Sequence, residues 1–245
     1  MKRRIWLMTS LYCICGSLFA AVIPDRTRII INESEKNAAI TLTNQSGTQP
    51  YLAQSWIEDS NGVKNRDVII ALPPLQRMEP SEQVQVKLLQ QAGTDRLPKD
   101  RETLLYYNVR EIPPKPDTSN ALQFALQSRL KVFYRPRTVE LKNLNVIPYH
   151  TIGIERTGSQ LQLINPTPYH IIVGYLGRDG KSLLPDTQSA IIAPFAKQSI
   201  SLGGYKGSAL QVGFISDHGG LILFQVTCAS ESPRCQTAAI KSGAK

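Results

Sequence analysis

Hydrophobic and polar residues alternate along most of the chain after Arg28. The repeat of two residues is clear in Ile40–Thr43, Val84–Leu88, Leu161–Leu163 and Ile200–Leu202. An alternation of this kind predicts β-strands with one face packed on a core and the other toward solvent. No long stretch has apolar residues at the spacing of an amphipathic helix. The pattern therefore predicts an all-β protein.

Turn-forming residues separate the strands at short intervals, as in Ser60–Gly62, Leu72–Pro74 and Asn165–Pro168. About seven strand-length runs precede residue 140, over a length typical of one immunoglobulin-like β-sandwich. A second set of runs begins near Thr151, after a polar junction at residues 137–150. We therefore expect two immunoglobulin-like β-sandwich domains in tandem, at residues 21–140 and 141–245.

Residues 1–20 have the pattern of a secretory signal peptide. Lys2, Arg3 and Arg4 form a positive segment, an apolar run follows over residues 5–19, and Ala20 and Ala21 offer a cleavage point. The run is too short and too close to the N-terminus to favour a membrane span. We expect export without membrane insertion.

The composition agrees with a globular protein, and the distribution of its charges disfavours nucleic acid as a partner. The chain is 42% hydrophobic and 19% charged, as is usual for a globular protein. Its formal charge of +9 falls to +6 when the three basic residues of the signal are removed. Because lysine and arginine form nothing larger than short pairs, we expect no nucleic-acid partner. A basic exported chain is instead expected to attract acidic polypeptides.

Two cysteines, Cys228 and Cys235, remain once the signal with Cys13 and Cys15 is removed. In an oxidising compartment they are expected to form a disulfide that closes a hairpin, with a pair of free thiols as the alternative. A metal site is disfavoured, because two thiols without a histidine nearby in sequence supply too few ligands.

Two fragments resemble enzyme motifs. Gly180–Ser182 ends like a phosphate-binding loop, but Tyr175 stands where that motif requires its first glycine. Ser216–His218 contains the residue types of a catalytic triad side by side, where they cannot face one another, although an exported hydrolase using them is a rival hypothesis. We expect no enzyme activity, cofactor or metal. No acid–base or metal site is indicated by the three histidines, which are far apart in sequence: His150, His170 and His218.

The region from Leu97 to Pro136 resembles the periplasmic pilus (fimbrial) chaperones of Gram-negative bacteria. Leu97–Pro114 is similar to the signature segment of that family, and Leu122–Pro136 to its subunit-capping strand. The resemblance covers nearly all of the chain after the signal. It extends to three further segments: Asp25–Arg28, Pro73–Pro80 and Ile164–Tyr169. It also includes the cysteine pair, although the spacing of the two cysteines is slightly wider than in the P-pilus type.

The resemblance implies an L-shaped molecule with a cleft between its two domains. It also implies a periplasmic chaperone that binds and caps pilus subunits by donor-strand complementation and delivers them to an outer-membrane usher. The short connection Pro113–Asn120 resembles the short-loop subclass. Some members of the family cap themselves as homodimers. The alternative is that the chain is itself a pilus subunit or an adhesin-like secreted β-sandwich protein.

By resemblance, Leu122, Phe124 and Leu126 would fill the groove that a subunit leaves open. Their alternation alone would favour the core of their own domain. Arg28 and Lys131 match the positions that bind the subunit's C-terminal carboxylate in the cleft, whereas without the resemblance they would be solvated cations.

Three further charged residues match positions of an ionic network between the domains: Glu102, Arg135 and Asp217. The network would hold the domain arrangement only if it is at least partly buried, because exposed ion pairs contribute little.

Overall fold

Strands predominate throughout the computed structural model, which describes residues 20–116, 122–141, 146–185, 189–229 and 232–240. Of the expected signal peptide, only Ala20 lies among the described residues. The three helical segments in these ranges are short 3₁₀ turns at Ala92–Arg96, Arg137–Val139 and Tyr149–Thr151. Within the described part of the chain, no helix is long and apolar enough to cross a membrane. The all-β prediction is confirmed.

The first domain contains nine strands among the described residues. They form one sheet in the order β1-β3-β7-β5 and another in the order β2-β9-β8-β4-β6. Their bounds are β1 (Val22–Pro24), β2 (Arg28–Asn32), β3 (Asn37–Asn44), β4 (Tyr51–Glu58), β5 (Ile69–Leu72), β6 (Leu75–Met78), β7 (Gln83–Gln90), β8 (Thr103–Ile112) and β9 (Gln127–Arg135).

The second domain contains eight strands in the described ranges. One sheet has the order β10-β11-β14 and the other β13-β12-β15-β16-β17. Their bounds are β10 (Gly153–Thr157), β11 (Gln160–Ile164), β12 (Ile171–Gly177), β13 (Ala190–Ile192), β14 (Lys197–Ser201), β15 (Ala209–Ile215), β16 (Leu221–Thr227) and β17 (Gln236–Ala239).

Each domain has its own hydrophobic core, made from the inward-facing side chains of its two sheets. In β7, Val84, Val86 and Leu88 are buried while the intervening polar side chains are exposed. The first cluster of buried apolar residues comes from the segment between Val22 and Tyr134, and the second from the segment between Ile147 and Cys235. Because burial follows the period of two in strands such as β3 and β7, the alternation in the sequence decides which face of these strands packs inward.

Candidate functional site

A partly open strand edge distinguishes β9 from its neighbours. On one side it pairs with β8 from Gln127 to Tyr134, and on the other it pairs in parallel with β2 only from Lys131 onward, opposite Arg28. No described strand pairs with Gln127–Leu130 on the β2 side. The backbone groups there are free to add another strand, and the free edge ends where Arg28 begins β2.

Arg28 and Lys131 are therefore direct neighbours across this parallel pair. Both are half-buried, and neither forms an ion pair with a described residue. The Nε of Arg28 is buried without a hydrogen-bond partner in the described structure. Burial lowers the pKa of Arg28, and the nearby Tyr149 and Asp217 oppose this shift only in part. Burial also lowers the pKa of Lys131, and the positive charges of Arg28 and Arg129 lower it further. An anion placed between the two cations would relieve this unfavourable state.

A cleft of about 670 Å³ lies beside Arg28 and is lined by both domains. Arg28 and Arg135 contribute from the first domain, and Asp217, His218 and Gly219 contribute from the turn between β15 and β16. Lys131 is not among the lining residues. The cleft therefore offers one arginine without an ion pair to a described residue, Arg28, and two that are already paired, Arg26 with Asp25 and Arg135 with Glu102 and Asp217.

Arg135 connects the two domains through ion pairs. Its Nε lies 2.5 Å from Glu102 Oε1, and its Nη1 lies 2.8 Å from Asp217 Oδ2. The side chains of Arg135 and Glu102 are only 4% and 1% exposed, and that of Asp217 is 15% exposed. Burial disfavours the charged guanidinium, but the two carboxylates outweigh it and raise the pKa of Arg135. The three predicted network residues are in contact and mostly buried.

His170 also belongs to this contact between the domains, although nothing in the sequence singled it out. Its backbone N–H donates to Glu102 Oε2 at 2.7 Å, and its Nδ1 lies 3.2 Å from the same oxygen. The backbone N–H of Glu102 in turn donates to Pro168 O, and the His170 ring packs on Phe133. Glu102 thus joins the two domains by its backbone and its carboxylate.

The apolar residues Leu122, Phe124 and Leu126 are not part of any core. They are 80%, 57% and 41% exposed. β9 begins at Gln127, five residues later than the alternation from Leu122 suggests. The described part of the segment before β9 has one backbone hydrogen bond to β8, donated by the Glu111 N–H to Leu126 O, next to the end of β8 at Ile112. The chain before Leu126 lies beyond that end and is not paired as a strand in the described structure. Without a partner strand, its side chains remain exposed.

Within β9, Lys131 lies on the outer face, and the positions that continue the alternation of the apolar residues lie on the inner face. Leu130 and Val132 share the parity of Leu126 and point into the core of the first domain. The same face of the chain is therefore buried within β9 and exposed ahead of it. Part of the connection before this segment, residues 117–121, lies outside the described residues.

Cys228 and Cys235 form a disulfide with an S–S distance of 2.04 Å, which confirms this prediction over the free thiols. The bond joins the end of β16 to the segment that leads into β17. Both residues are buried in the core of the second domain. The disulfide closes a short loop, which by chain entropy contributes about 2 to 3 kcal/mol to stability.

The enzyme-like fragments are turns. The N–H of Ser216 donates to Gly220 O, and Ser216 Oγ accepts from the Gly220 N–H, while the Asp217 carboxylate is bound to Arg135. The serine and the aspartate are thus engaged in a turn and an ion pair, which does not support the hydrolase hypothesis. In the other fragment, Asp179 accepts the N–H groups of Lys181 and Ser182. This arrangement stabilises a tight turn.

Two family models match the chain, one for each domain. The model described as pili and flagellar-assembly chaperone, PapD N-terminal domain, matches residues 21–140. The model described as pili assembly chaperone PapD, C-terminal domain, matches residues 147–223.

Individual relatives agree with these models. Over 219 residues the chain is 46% identical to the uncharacterized fimbrial chaperone YqiH of Escherichia coli strain K12, covering 89% of this chain and 88% of the relative. It is 33% identical to the chaperone protein PapD of Escherichia coli over 229 residues, covering 93% and 94% of the two chains.

Among solved structures, the Salmonella enterica SafA pilin in complex with the SafB chaperone contains a chain that matches with a TM-score of 0.72 at 25% identity, covering 86% of this chain and 98% of that one. The expectation of two immunoglobulin-like domains is confirmed by such chaperone structures. This chain belongs to the family of pilus (fimbrial) assembly chaperones.

Proposed function

We propose that this chaperone works in the periplasm, captures a pilus subunit, supplies it with a temporary strand and delivers it to an outer-membrane usher. The proposal involves no covalent chemistry and no cofactor. The subunit would be released by exchange into a better-fitting strand from the next subunit, so that binding energy alone drives the transfer.

One observation carries the proposal, namely the free edge of β9 that ends at Arg28. A subunit strand added to this edge in parallel would be collinear with β2 and would have to stop where β2 begins. Its last residue would then lie beside Arg28 and Lys131. A chain that stops there presents a terminal carboxylate to two half-buried cations without ionic partners.

The chemistry of the two cations suits this role. An arginine can bind both oxygens of a carboxylate, and the neighbouring ammonium adds a second positive charge. The buried Nε of Arg28, which has no hydrogen-bond partner among the described residues, supports a site built for an acceptor that arrives with the partner.

The exposed residues Leu122, Phe124 and Leu126 would fill the groove of the incomplete subunit. Burying three such side chains contributes about 5 to 9 kcal/mol before the cost of ordering the segment. Both domains already have closed cores of their own, which favours a chaperone over a subunit or adhesin that lacks a strand. The same exposed segment could pair with that of a second copy, giving a self-capped homodimer that sedimentation at increasing concentration would detect.

The test is a pull-down of the tagged mature chain from the periplasm, co-expressed with the pilus subunit encoded beside it. The wild type is compared with the double variant Arg28→Ala, Lys131→Ala. A control variant, Lys36→Ala, Lys87→Ala, removes two exposed cations that are not part of the proposed anchor. We expect the wild type and the control to retain the subunit and the anchor variant to lose it.

If the folded anchor variant retains as much subunit as the wild type, the carboxylate anchor is wrong. If the wild type retains no subunit, the chaperone cycle proposed for this chain is wrong. Self-polymerisation of the purified mature chain would favour the subunit alternative.

A further inference from the structure

The outer face of the five-stranded sheet in the first domain carries cations that lie over aromatic rings. Lys64 Nζ lies 4.8 Å and Arg110 Cζ 5.5 Å from the centre of the Trp56 ring, and Arg129 Cζ lies 3.4 Å from the centre of the Tyr106 ring. We refer to these five residues as the cationic face. Contact with the rings holds the long side chains in place while their charged ends remain accessible.

Strand register makes the cationic face continuous with Arg28 and Lys131. Lys131 is opposite Tyr106, and Arg129 is opposite Asn108, which is itself opposite Trp56. Arg129 and Lys131 are two residues apart on β9, so both point to the same side of the sheet about 7 Å apart along the strand. The positive surface therefore begins at the proposed carboxylate anchor and extends across three strands.

Among the described residues, the carboxylate in contact with the cationic face is that of Glu58, which is largely covered. Glu58 is 14% exposed, and its oxygens accept hydrogen bonds from Trp56 Nε1 at 2.7 Å and from Arg129 Nε at 3.2 Å. Lys64 and Arg110 are exposed and form no ion pair with a described residue. The face therefore has a net positive charge that its own domain does not neutralise.

We propose that the cationic face receives an acidic surface of the same pilus subunit whose terminal carboxylate binds Arg28 and Lys131. This inference rests on the proposed function. A subunit strand on the free edge of β9 would alternate its side chains as β9 does. Every second side chain of the subunit strand, counted back from its C-terminus, would then point to the side of the sheet that carries Arg129. An acidic residue at such a position would lie close to the net positive charge of the cationic face.

The pilus subunit fits this surface better than other partners. Its body would lie next to β9, which carries both the anchor and part of the cationic face, so one partner would cover both. An exported chain, as expected from its signal peptide, would meet acidic proteins and not nucleic acid. Complementary charge at such a surface mainly raises the rate of association and selects among partners.

The experiment measures the rate of association between the purified chaperone and the pilus subunit encoded beside it, released from denaturant, at low and high salt. The face variant carries Lys64→Gln, Arg110→Gln and Arg129→Gln. A matched control carries Lys36→Gln, Arg66→Gln and Lys87→Gln, which removes the same charge from exposed positions outside the cationic face. The anchor variant Arg28→Ala, Lys131→Ala is measured in parallel.

We expect the face variant to associate about 10-fold more slowly at low salt and to lose most of the salt dependence, while the control keeps both. Replacing acidic residues at alternate positions before the subunit's C-terminus should slow the wild type similarly and leave the face variant unchanged. Unfolding midpoints of all variants establish that they are folded.

The inference is overturned if the face variant behaves as the control does while the anchor variant loses the subunit, a result that leaves the proposed function intact. It is also overturned if the face variant binds subunit normally but cells carrying it make no pili, since the usher would then be the partner. If the wild type binds no subunit, the proposed function and this inference fail together.

Discussion

Two arginines at the interdomain cleft are used in opposite ways. Arg135 is almost completely buried and is paired with Glu102 and Asp217, and these carboxylates raise its pKa. Arg28 is half-buried beside another cation, and burial lowers its pKa. The charge of Arg135 is neutralised by ion pairs within the protein, whereas Arg28 forms no ion pair with a described residue.

The difference favours a structural role for Arg135 and the proposed binding role for Arg28. A buried charge with its partners in place resists any rearrangement that would break the pairs. A buried charge without them raises the free energy of the unbound protein, and a ligand that neutralises it recovers this cost. We therefore expect changes at Arg135 to affect stability and changes at Arg28 to affect affinity.

The largest change is expected in the free energy of unfolding when the ion pairs of Arg135 are broken. Glu102→Ala leaves Arg135 with one carboxylate in a buried site and removes the acceptor of the His170 N–H. It should lower the free energy of unfolding by about 3 to 5 kcal/mol, measured by urea denaturation. Arg77→Ala, which removes an exposed ion pair with Glu79, serves as the control and should change little. Equal stability of the Glu102 variant and the wild type would show that the buried pairs do not hold the domains.

The second effect should appear in binding and not in stability. Lys131→Ala is expected to weaken subunit binding by about 2 to 5 kcal/mol, because the subunit's terminal carboxylate, placed at the start of β2, loses a charged partner. Its free energy of unfolding should stay the same or increase, since the unpaired ammonium is already disfavoured. Calorimetric titration of the subunit and urea denaturation measure the two quantities. A loss of stability without a loss of affinity would reverse the roles assigned to the two groups.

A destabilising change away from the cleft tests whether stability and affinity are separate. Replacing Cys228 and Cys235 by alanine should lower the free energy of unfolding by about 2 to 3 kcal/mol, because the unfolded chain loses its cross-link. Subunit affinity measured well below the unfolding midpoint should be unchanged. If affinity falls as much as it does for Lys131→Ala, loss of binding cannot be attributed to the anchor.

The smallest effect concerns the ionisation of Lys131. The pKa of Lys131 is lower in the folded protein than its ordinary value of 10.5. Between the folded-state pKa and 10.5, the unfolded chain therefore binds more protons than the folded one. In this pH range, the contribution of Lys131 makes the free energy of unfolding increase with pH. The effect on stability should stay below about 1 kcal/mol, because the side chain is only half-buried. We expect Lys131→Met to be more stable than the wild type at pH 7. The difference between their free energies of unfolding should become smaller as the pH is raised.

A direct readout of the same shift is an NMR titration of the Lys131 side chain. The midpoint should lie below 10.5 in the free protein and increase in Arg28→Gln, which removes a neighbouring positive charge. It should also increase when the subunit's carboxylate is bound. A midpoint at or above 10.5 in the free protein would contradict the picture of an unsatisfied cation.

Several features could be predicted from the sequence because they depend on local pattern. Alternation predicted the strands and their buried faces, as in β3 and β7, since side chains on a strand point to opposite sides regardless of what surrounds it. The disulfide could be predicted because two nearby cysteines in an exported chain have few other partners. The start of β9 could not, because pairing depends on where neighbouring strands end.

The site shows the same division. The residues of the proposed site were named from the resemblance: Arg28, Lys131 and the exposed residues Leu122, Phe124 and Leu126. His170 was missed because its role comes from a backbone N–H and a ring placed against Glu102 and Phe133 by the packing of two domains. The cationic face was missed because its members come from three strands and a turn.

The sequence by itself determined the all-β class, the inward face of alternating strands such as β3 and β7, and the family. Only the tertiary structure decided which charges are neutralised. Arg28 and Arg135 are the same residue type on adjacent strands. They differ because Arg135 forms ion pairs with two carboxylates, whereas Arg28 lies opposite Lys131 and forms no ion pair with a described residue. Ionic energy depends on distance and burial, which are set when separate parts of the chain come together.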